Sequence, residues 1–306
     1  MTEAVAGVDA GIDAGSLDRS SPAAPPELPD ALDLLASRPL VVLTGAGLST
    51  DSGIPDYRGP GAPTRRPMTY DEFVSGPGAQ QRYWARSHLG WGLMARAEPN
   101  DGHRSLAAME ARGRVRLLIT QNVDGLHEES GSAAVALHGR VAQVVCLGCR
   151  TTSSRALLQN RLEALNPGYA ERHRDAAIRP DGDVELEDTA GFVVPPCELC
   201  GGVLKPDVVF FGENVPAERV QRCYHAVEAL ADVDGALLVA GSSLAVMSGL
   251  RFVKRAHGRG TPIVIVNRGT TRGDELATYK LGVGCSEFLT ALAREPTPAQ
   301  APFRGA

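Results

Sequence analysis

No stretch of the 306-residue chain approaches the ~20 consecutive apolar residues of a membrane-crossing helix, so a helical membrane protein is excluded. Positive charge is in deficit. Thirty-one Lys and Arg stand against 36 Asp and Glu, a net charge of -5, which argues against nucleic-acid binding through bulk electrostatics and leaves only a local basic patch open. The N-terminus lacks any base before Arg19 and carries Glu3, Asp9, Asp13 and Asp18, which fits neither a secretory signal nor an organellar transit peptide. A cytoplasmic, reducing setting is expected. Cysteine is sparse as well. Of six, four fall in two Cys-x-x-Cys pairs, which in a reducing compartment points to metal rather than a disulfide framework.

What is present is an ordinary globular composition, 43% hydrophobic, long enough for one large domain with an insertion or for two. The most informative stretch is Pro39 to Gly59. Leu40 to Leu43 is an apolar, β-branched run that reads as a buried strand, and Gly45-Ala46-Gly47 follows at once, predicting a tight turn into a helix. Glycines there leave no Cβ in a ligand's way, and amides at a helix start favour an anion such as a pyrophosphate. The third glycine of Gly-x-Gly-x-x-Gly is missing, Thr50 standing in its place, so a ligand-free strand-to-helix turn is an equal reading. Ser52 to Arg58 then breaks the helix pattern with Gly53 and Pro55 and carries Asp56, Tyr57 and Arg58, the content of a loop that closes over a ligand.

Residues 1–30 lack periodicity and read as a disordered tail, as do 296–306 at the other end. Helical spacing of Phe73, Tyr83, Trp84, Leu89 and Leu93 predicts a helical insertion within 59–100, running from Tyr70 to Ala97. A helix near Asn100 to Ala111 precedes a second buried strand, Val115 to Thr120, which delivers Gln121-Asn122-Val123-Asp124 at its end. Residues 141–204 form a separate module bracketed by the cysteine pairs. From Lys205 the first pattern resumes, with an apolar run at Val208 to Phe211, an amphipathic helix at Pro216 to Leu230, a strand at Ala236 to Ala240 ending in Gly241-Ser242-Ser243, and a strand at Ile263 to Val266 ending in Asn267-Arg268-Gly269. Strands alternating with helices imply an α/β fold, a doubly wound parallel Rossmann-like sheet over 31–58, 101–140 and 205–295, with ligands at the carboxyl ends of the strands.

Cys146, Cys149, Cys197 and Cys200 supply the four thiolates of a tetrahedral Zn²⁺ with no open position, hence one structural ion. Cys223 sits on the apolar face of its helix as core packing, and spacing gives Cys285 no chemistry. Among seven histidines His138, in Leu137-His138-Gly139, stands between the polar strand end and the metal module as a candidate general base, with His127 as its rival.

Taken together, Gly45-Ala46-Gly47 with Ser49, Gly53 to Arg58, Thr120 to Asp124, Leu137-His138-Gly139, the two cysteine pairs, Lys205 to Glu213 and Gly241-Ser242-Ser243 resemble the sirtuins, in family order from about Ala31 to Ala293. Arg65-Arg66-Pro67, Arg82 to Arg86 and Pro180 to Asp183 further resemble the class II branch, in a bacterial cytoplasmic protein. The resemblance implies an NAD-dependent protein-lysine deacylase that releases nicotinamide and passes the acyl group to ADP-ribose. It implies that Asn122 and Asp124, with Ile54 and Asp56, hold the nicotinamide, and that His138 is the base on a ribose hydroxyl. It places Gly45, Ala46, Gly47, Ser49, Thr50 and Ser242 at the phosphates, Asn267 at the adenosine ribose, and the backbone near Cys285 at the adenine, with Ser243, Arg268 and Gly269 also in the cofactor set. Tyr57, Arg58, Gln121, Val123 and Gly241 complete the cofactor set. Val209, Phe211 and Val246 would wall the acyl-lysine tunnel, with the peptide added as a strand beside Phe211, Gly212 and Glu213.

Tyr57 departs from the family's usual Phe. Tyr83 and Arg86 reproduce the Tyr-x-x-Arg spacing of the acid-acyl branch, so Arg86 either pairs with an acidic acyl chain or faces solvent on its helix. The competing classes are a protein ADP-ribosyltransferase on the same scaffold and, more distantly, a zinc-ribbon nucleic-acid module, which would need a basic face. A dehydrogenase is disfavoured because no ribose-binding acid follows the first turn by about 20 residues.

Overall fold

The computed structural model describes residues 25–56, 67–173 and 189–295. The expectations for residues 1–24, Tyr57, Arg58, Arg65-Arg66, Pro180 to Asp183 and the 296–306 tail lie outside the described residues.

The chain opens with α1 (Leu28–Ala36), whose first three residues fall in the stretch expected to be tail; Pro29 sits in its first turn, where a missing N–H costs nothing. Then come β1 (Leu40–Thr44) and a 3-10 turn, Ala46–Ser52. The expected Tyr70-to-Ala97 helix is two, α2 (Tyr70–Val74) and α3 (Pro77–Met94), split at Gly76 and restarted by Pro77. Next are α4 (Asp101–Ala111), β2 (Val115–Thr120), α5 (Leu126–Glu129), β3 (Val135–Ala136), β4 (Gly139–Cys146), β5 (Thr152–Ser154), α6 (Arg155–Leu165) and α7 (Tyr169–Arg172). The last third holds β6 (Leu204–Val208), α8 (Ala217–Ala229), β7 (Ala236–Ala240), α9 (Met247–Gly258), β8 (Ile263–Val266), β9 (Tyr279–Leu281) and α10 (Cys285–Arg294).

Six strands form one parallel sheet in the order β3-β2-β1-β7-β8-β9. Strict alternation sorts the side chains to its two faces. Leu40, Val42, Leu238 and Val264 pack against α1, α4 and α10, while Val41, Leu43, Val239 and Ile265 pack against α8 and α9. With both faces covered, β1, β7 and β8 are buried at every position, which is why they read as continuous apolar runs. Cys223 of α8 is part of the second layer, its thiol pushed up to about 11 by burial.

A second sheet, β5-β4-β6, is antiparallel and packs with α3 and α6 around Trp84, Leu158, Leu162 and Phe192. It corrects one expectation. The Val208-to-Phe211 run is not a strand of the parallel sheet: β6 lies earlier and pairs with β4, carrying Pro206 opposite Val144. Gly139 is required by that pairing, since its φ is +81° and a Cβ there would stand 2.0 Å from the Asp207 carbonyl oxygen.

Candidate active site and metal centre

The order of the sheet reverses between β1 and β7, the point in such folds where ligands bind. There the two strand ends cross backbone to backbone. The Gly45 N–H donates to the Ala240 carbonyl at 3.1 Å and the Gly47 N–H to that of Gly241 at 2.8 Å. A Cβ on Gly45 would lie 2.7 Å from the Gly241 oxygen, and one on Gly241, at φ +69°, would lie 2.3 Å from the Leu48 nitrogen. Both glycines are therefore demanded by the crossing itself. The amides of Gly45, Gly47 and Leu48 are engaged within it, contrary to the expectation that all of them face outward. The expected α-helix after the turn is 3-10, because Thr50 turns its hydroxyl back on the Gly47 carbonyl at 3.0 Å and Gly53, at φ +81°, ends the segment. Asn100, the N-cap of α4, ties this turn down by donating to the Leu48 carbonyl at 2.8 Å and to Ser52 Oγ at 3.1 Å.

Beside the crossing, the end of β2 supplies a polar cluster. Asn122 Nδ2 donates to the Gly45 carbonyl at 3.1 Å and to Ser49 Oγ at 3.0 Å, and Ser49 Oγ donates to Asp124 Oδ2 at 2.7 Å. Burial pushes the Asp124 carboxyl above its usual range, against hydrogen bonds from the Leu126 N–H and Ser49. An apolar wall closes one side: Ile54, Met94, Leu126 and Val141 are buried together, with Trp91 and Val123 at their edge. Asp56 is half-buried at the end of the described loop.

His138 follows β3 and is held at both nitrogens. Nδ1 lies 2.9 Å from the Gln121 carbonyl oxygen and Nε2 lies 2.8 Å from Ser248 Oγ. A carbonyl only accepts, so the neutral ring carries its proton on Nδ1 and presents the Nε2 lone pair, the tautomer this network assigns. Burial lowers its pKa, opposed by the Gln121 carbonyl, so the shift favours the neutral ring. Gln121 is fixed in turn by Ser242, whose Oγ donates to Oε1 at 2.6 Å. His127 is a different kind of residue: 1% exposed, bonded to Thr44 Oγ1 at 2.9 Å and lowered by burial to about 3, it is core. Ser248 was not singled out in the sequence, and spacing carries no signal for it; only the fold brings α9 to His138.

The remaining strand ends gather more loosely. Asn267, after β8, donates to the Arg268 and Gly269 carbonyls at 2.9 and 3.4 Å, and its own carbonyl accepts from Lys280 Nζ at 2.7 Å. The buried Cys285 thiol opens α10 at 3.6 Å from the Val266 carbonyl and is pushed up to about 12 by burial. Ser243 and Val246 are half-buried on the segment entering α9. On the substrate side, the Val209 N–H donates to the His138 carbonyl at 2.8 Å. Phe210 is 8% exposed and Phe211 47%, so neighbouring rings face opposite ways although the run is not a regular strand. Phe211 bridges Thr69 and accepts from the Tyr70 N–H at 2.9 Å, while Gly212, at φ +89°, turns the chain toward Glu213. Tyr83 stacks edge-on to Phe73 and lies 5.2 Å from Phe210, centroid to centroid, and Arg86 is half-buried one turn further along α3.

The four cysteines converge although 48 residues separate the pairs. All four sulfurs lie within 4.8 Å of one another, with Cys146 to Cys200 at 3.5 Å and Cys149 to Cys197 at 3.8 Å. Sulfurs around a tetrahedral zinc with bonds of about 2.3 Å stand roughly 3.8 Å apart, so this set fits one zinc ion.

Against known proteins, the Sir2 family model matches residues 45–248. The "NAD-dependent protein deacetylase 1" of Mycobacterium avium (strain 104) is 54% identical over 276 residues, 89% of this chain and 96% of that protein. Its namesake in Streptomyces coelicolor is 52% identical over 272 residues, 87% of this chain and 89% of that one. Among solved structures, "Sir2-p53 peptide-NAD+" aligns with a TM-score of 0.69 at 32% identity, covering 87% of this chain and 97% of that one. "Sir2 bound to acetylated peptide" aligns at 0.68 and 31%, covering 88% and 98%. With the glycine crossing, the His138 environment and the thiol cluster in place, these matches establish that the chain belongs to the Sir2 family.

Proposed function

We propose that the protein is an NAD-dependent protein-lysine deacetylase acting on acyl-lysine peptides in the cytoplasm, with one structural zinc. The observation that carries this reading is the neutral His138 imidazole, its Nε2 lone pair at the mouth of the strand ends and its Nδ1–H held by Gln121.

The residues fit the cofactor on three counts. The Gly45–Gly241 crossing stands at the switch point of the sheet, where a pyrophosphate would approach strand ends and a helix-like turn. Asn122, Ser49 and Asp124 offer an amide, a hydroxyl and a carboxyl within one hydrogen-bonded cluster, suited to a carboxamide. Ile54 and its neighbours supply a flat apolar wall for a ring. NAD, when bound, supplies an electrophilic ribose carbon and a nicotinamide leaving group.

The protein's own part is then positional and basic. The Asn122 cluster orients the nicotinamide end, the wall behind Ile54 excludes water, and His138 accepts a hydroxyl proton at Nε2. The cation so formed keeps an acceptor on Nδ1–H in the Gln121 carbonyl. Phe211, already bridged to Thr69, with the Gly212–Glu213 turn after it, is where the peptide would add its main chain, which gives affinity with loose sequence reading. The four cysteines brace the small sheet through β4 and β6 and leave the zinc no catalytic position.

The test is nicotinamide release from NAD against acetyl-, propionyl-, succinyl- and methylglutaryl-lysine peptides. Release that requires an acyl peptide and falls ~10²-fold or more in His138→Ala is expected. Labelling of protein from NAD without deacylation would overturn it in favour of ADP-ribosyl transfer. A preference for the acidic acyl chains that disappears in Arg86→Ala would assign Arg86 to the substrate carboxylate and the chain to the class II branch.

A further inference from the structure

We propose that Ser248 is a positioning residue for the base at His138, a role that rests on the deacetylase reading. The 2.8 Å contact between His138 Nε2 and Ser248 Oγ joins two elements 110 residues apart in sequence. With the ring proton on Nδ1, the Ser248 hydroxyl is the donor and Nε2 the acceptor. The imidazole is thereby pinned at both nitrogens, by a carbonyl on one side and a hydroxyl on the other, and a ring flip breaks both bonds.

The anchor is itself fixed. Ser248 is the second residue of α9, and Gly249 beside it lies so close to the Gln121 amide that a Cβ there would stand 2.8 Å from that side chain. Gln121 holds His138 Nδ1 through its backbone and Ser242 through its side chain. Gln121, His138 and the start of α9 therefore form one closed ring of contacts, and Ser242 holds Gln121 from outside it. Neither methyl nor methylene at position 248 would complete it.

A hydroxyl suits the chemistry because it reverses. While Nε2 is neutral Ser248 donates to it; once Nε2 carries a proton the same oxygen accepts from it. Alanine removes both functions, and threonine retains both.

The experiment compares wild type, Ser248→Ala and Ser248→Thr by two readouts. The first is the ¹⁵N resonance of His138 Nε2 in protein without NAD, identified by its absence in His138→Ala. The second is acetyl-peptide turnover alongside NAD affinity by calorimetry. Ser248→Ala is expected to move the Nε2 resonance downfield, as for a lone pair that has lost its donor. It should lower kcat roughly tenfold, the size of one lost hydrogen bond, with NAD affinity within about twofold. Ser248→Thr should restore both. An unmoved resonance in Ser248→Ala, an unchanged kcat, or a threonine variant no better than alanine overturns the proposal. Absence of turnover in wild type would sink the deacetylase reading instead, and the resonance would still decide whether Ser248 holds the ring.

Discussion

Arg155, wholly buried at the start of α6, lays its guanidinium 4.9 Å from the ring centroid of Trp91 on α3. Its other aromatic neighbour is Trp84, at 5.3 Å, and one amino group donates to the Ser87 carbonyl at 3.2 Å. Burial lowers its pKa to about 10, so it stays charged at neutral pH with indole faces as its main compensation. Trp91 also borders the Ile54 wall, so this cation links the thiol-bearing module to that side of the candidate site.

Arg155→Ala is expected to cost about 2 kcal/mol or more, a fall in melting temperature of roughly 4–8 °C. Arg155→Lys should recover little, because an ammonium lacks the planar face that lies against two indoles. Calorimetry on the three proteins checks this, and a lysine variant as stable as wild type would refute the stacking argument.

A buried histidine pair sets the acid limit of the fold. The His103 and His127 ring centroids are 4.8 Å apart, and both side chains are essentially inaccessible. His103 Nδ1 accepts from the Asn100 N–H at 3.3 Å, so Nε2 carries its proton. The Thr44 hydroxyl donates to Thr120 at 2.9 Å, so His127 Nε2–H donates to Thr44 and Nδ1 is bare. Burial lowers the two pKa values from 6.5 to about 4 and about 3. The unfolded chain thus binds protons at a pH where the folded one does not. Their stabilisation is complete above pH ~6.5 and is lost as pH falls toward 4, on the order of 2 kcal/mol from each by pH 5. Urea unfolding at pH 7 and pH 5 should show this, and His127→Gln should flatten the dependence by about half.

Removing zinc should unfold the small module before the parallel sheet. The four sulfurs close a 55-residue segment, Cys146 to Cys200, whose own apolar core is small. A strong chelator, or Cys146→Ala, is expected to lower the melting temperature by on the order of 10 °C and to shift tryptophan emission to the red as Trp84 is exposed. Metal analysis should find one zinc per chain in untreated protein and none in the variant.

The parallel sheet was legible because burial on both faces writes an unbroken apolar run, as in Leu40 to Leu43 and Ile263 to Val266. The glycine turn, His138 and the cysteines were legible because fixed motifs carry them. The reading failed where tertiary pairing overrides local signal. Pro206 argued against the strand that β6 forms, and the tempting Val208-to-Phe211 run straddles that strand's end. The buried charges were hidden too: the aromatic partners of Arg155 come from another segment, and the partners of Lys205, though only three to eight residues on, reach it only because the chain turns back at Gly212. Ser248 is invisible for the same reason.

Lys205 offers the sharpest remaining test. Only 4% exposed, its ammonium lies 2.8 Å from Glu213 Oε2, donates to the Val208 carbonyl at 2.6 Å and sits 4.4 Å from the Phe210 ring centroid. Glu213 Oε2 also accepts from the Phe210 N–H at 2.7 Å, so the pair fastens the Phe210-to-Glu213 turn onto the end of β6. Burial lowers the Lys205 pKa and Glu213 opposes it. Glu213→Ala leaves a buried cation without its counter-charge and is expected to cost about 3 kcal/mol, whereas Lys205→Met with Glu213→Gln removes both charges and should be milder. If the loosened turn is the peptide-binding segment, as proposed, Glu213→Gln should raise KM for the acetyl peptide several-fold and leave that for NAD nearly unchanged. Equal rises in both KM values would mean that the pair supports the whole cleft rather than this strand, and a double variant less stable than Glu213→Ala would show that the lysine is held by its carbonyl and ring contacts alone.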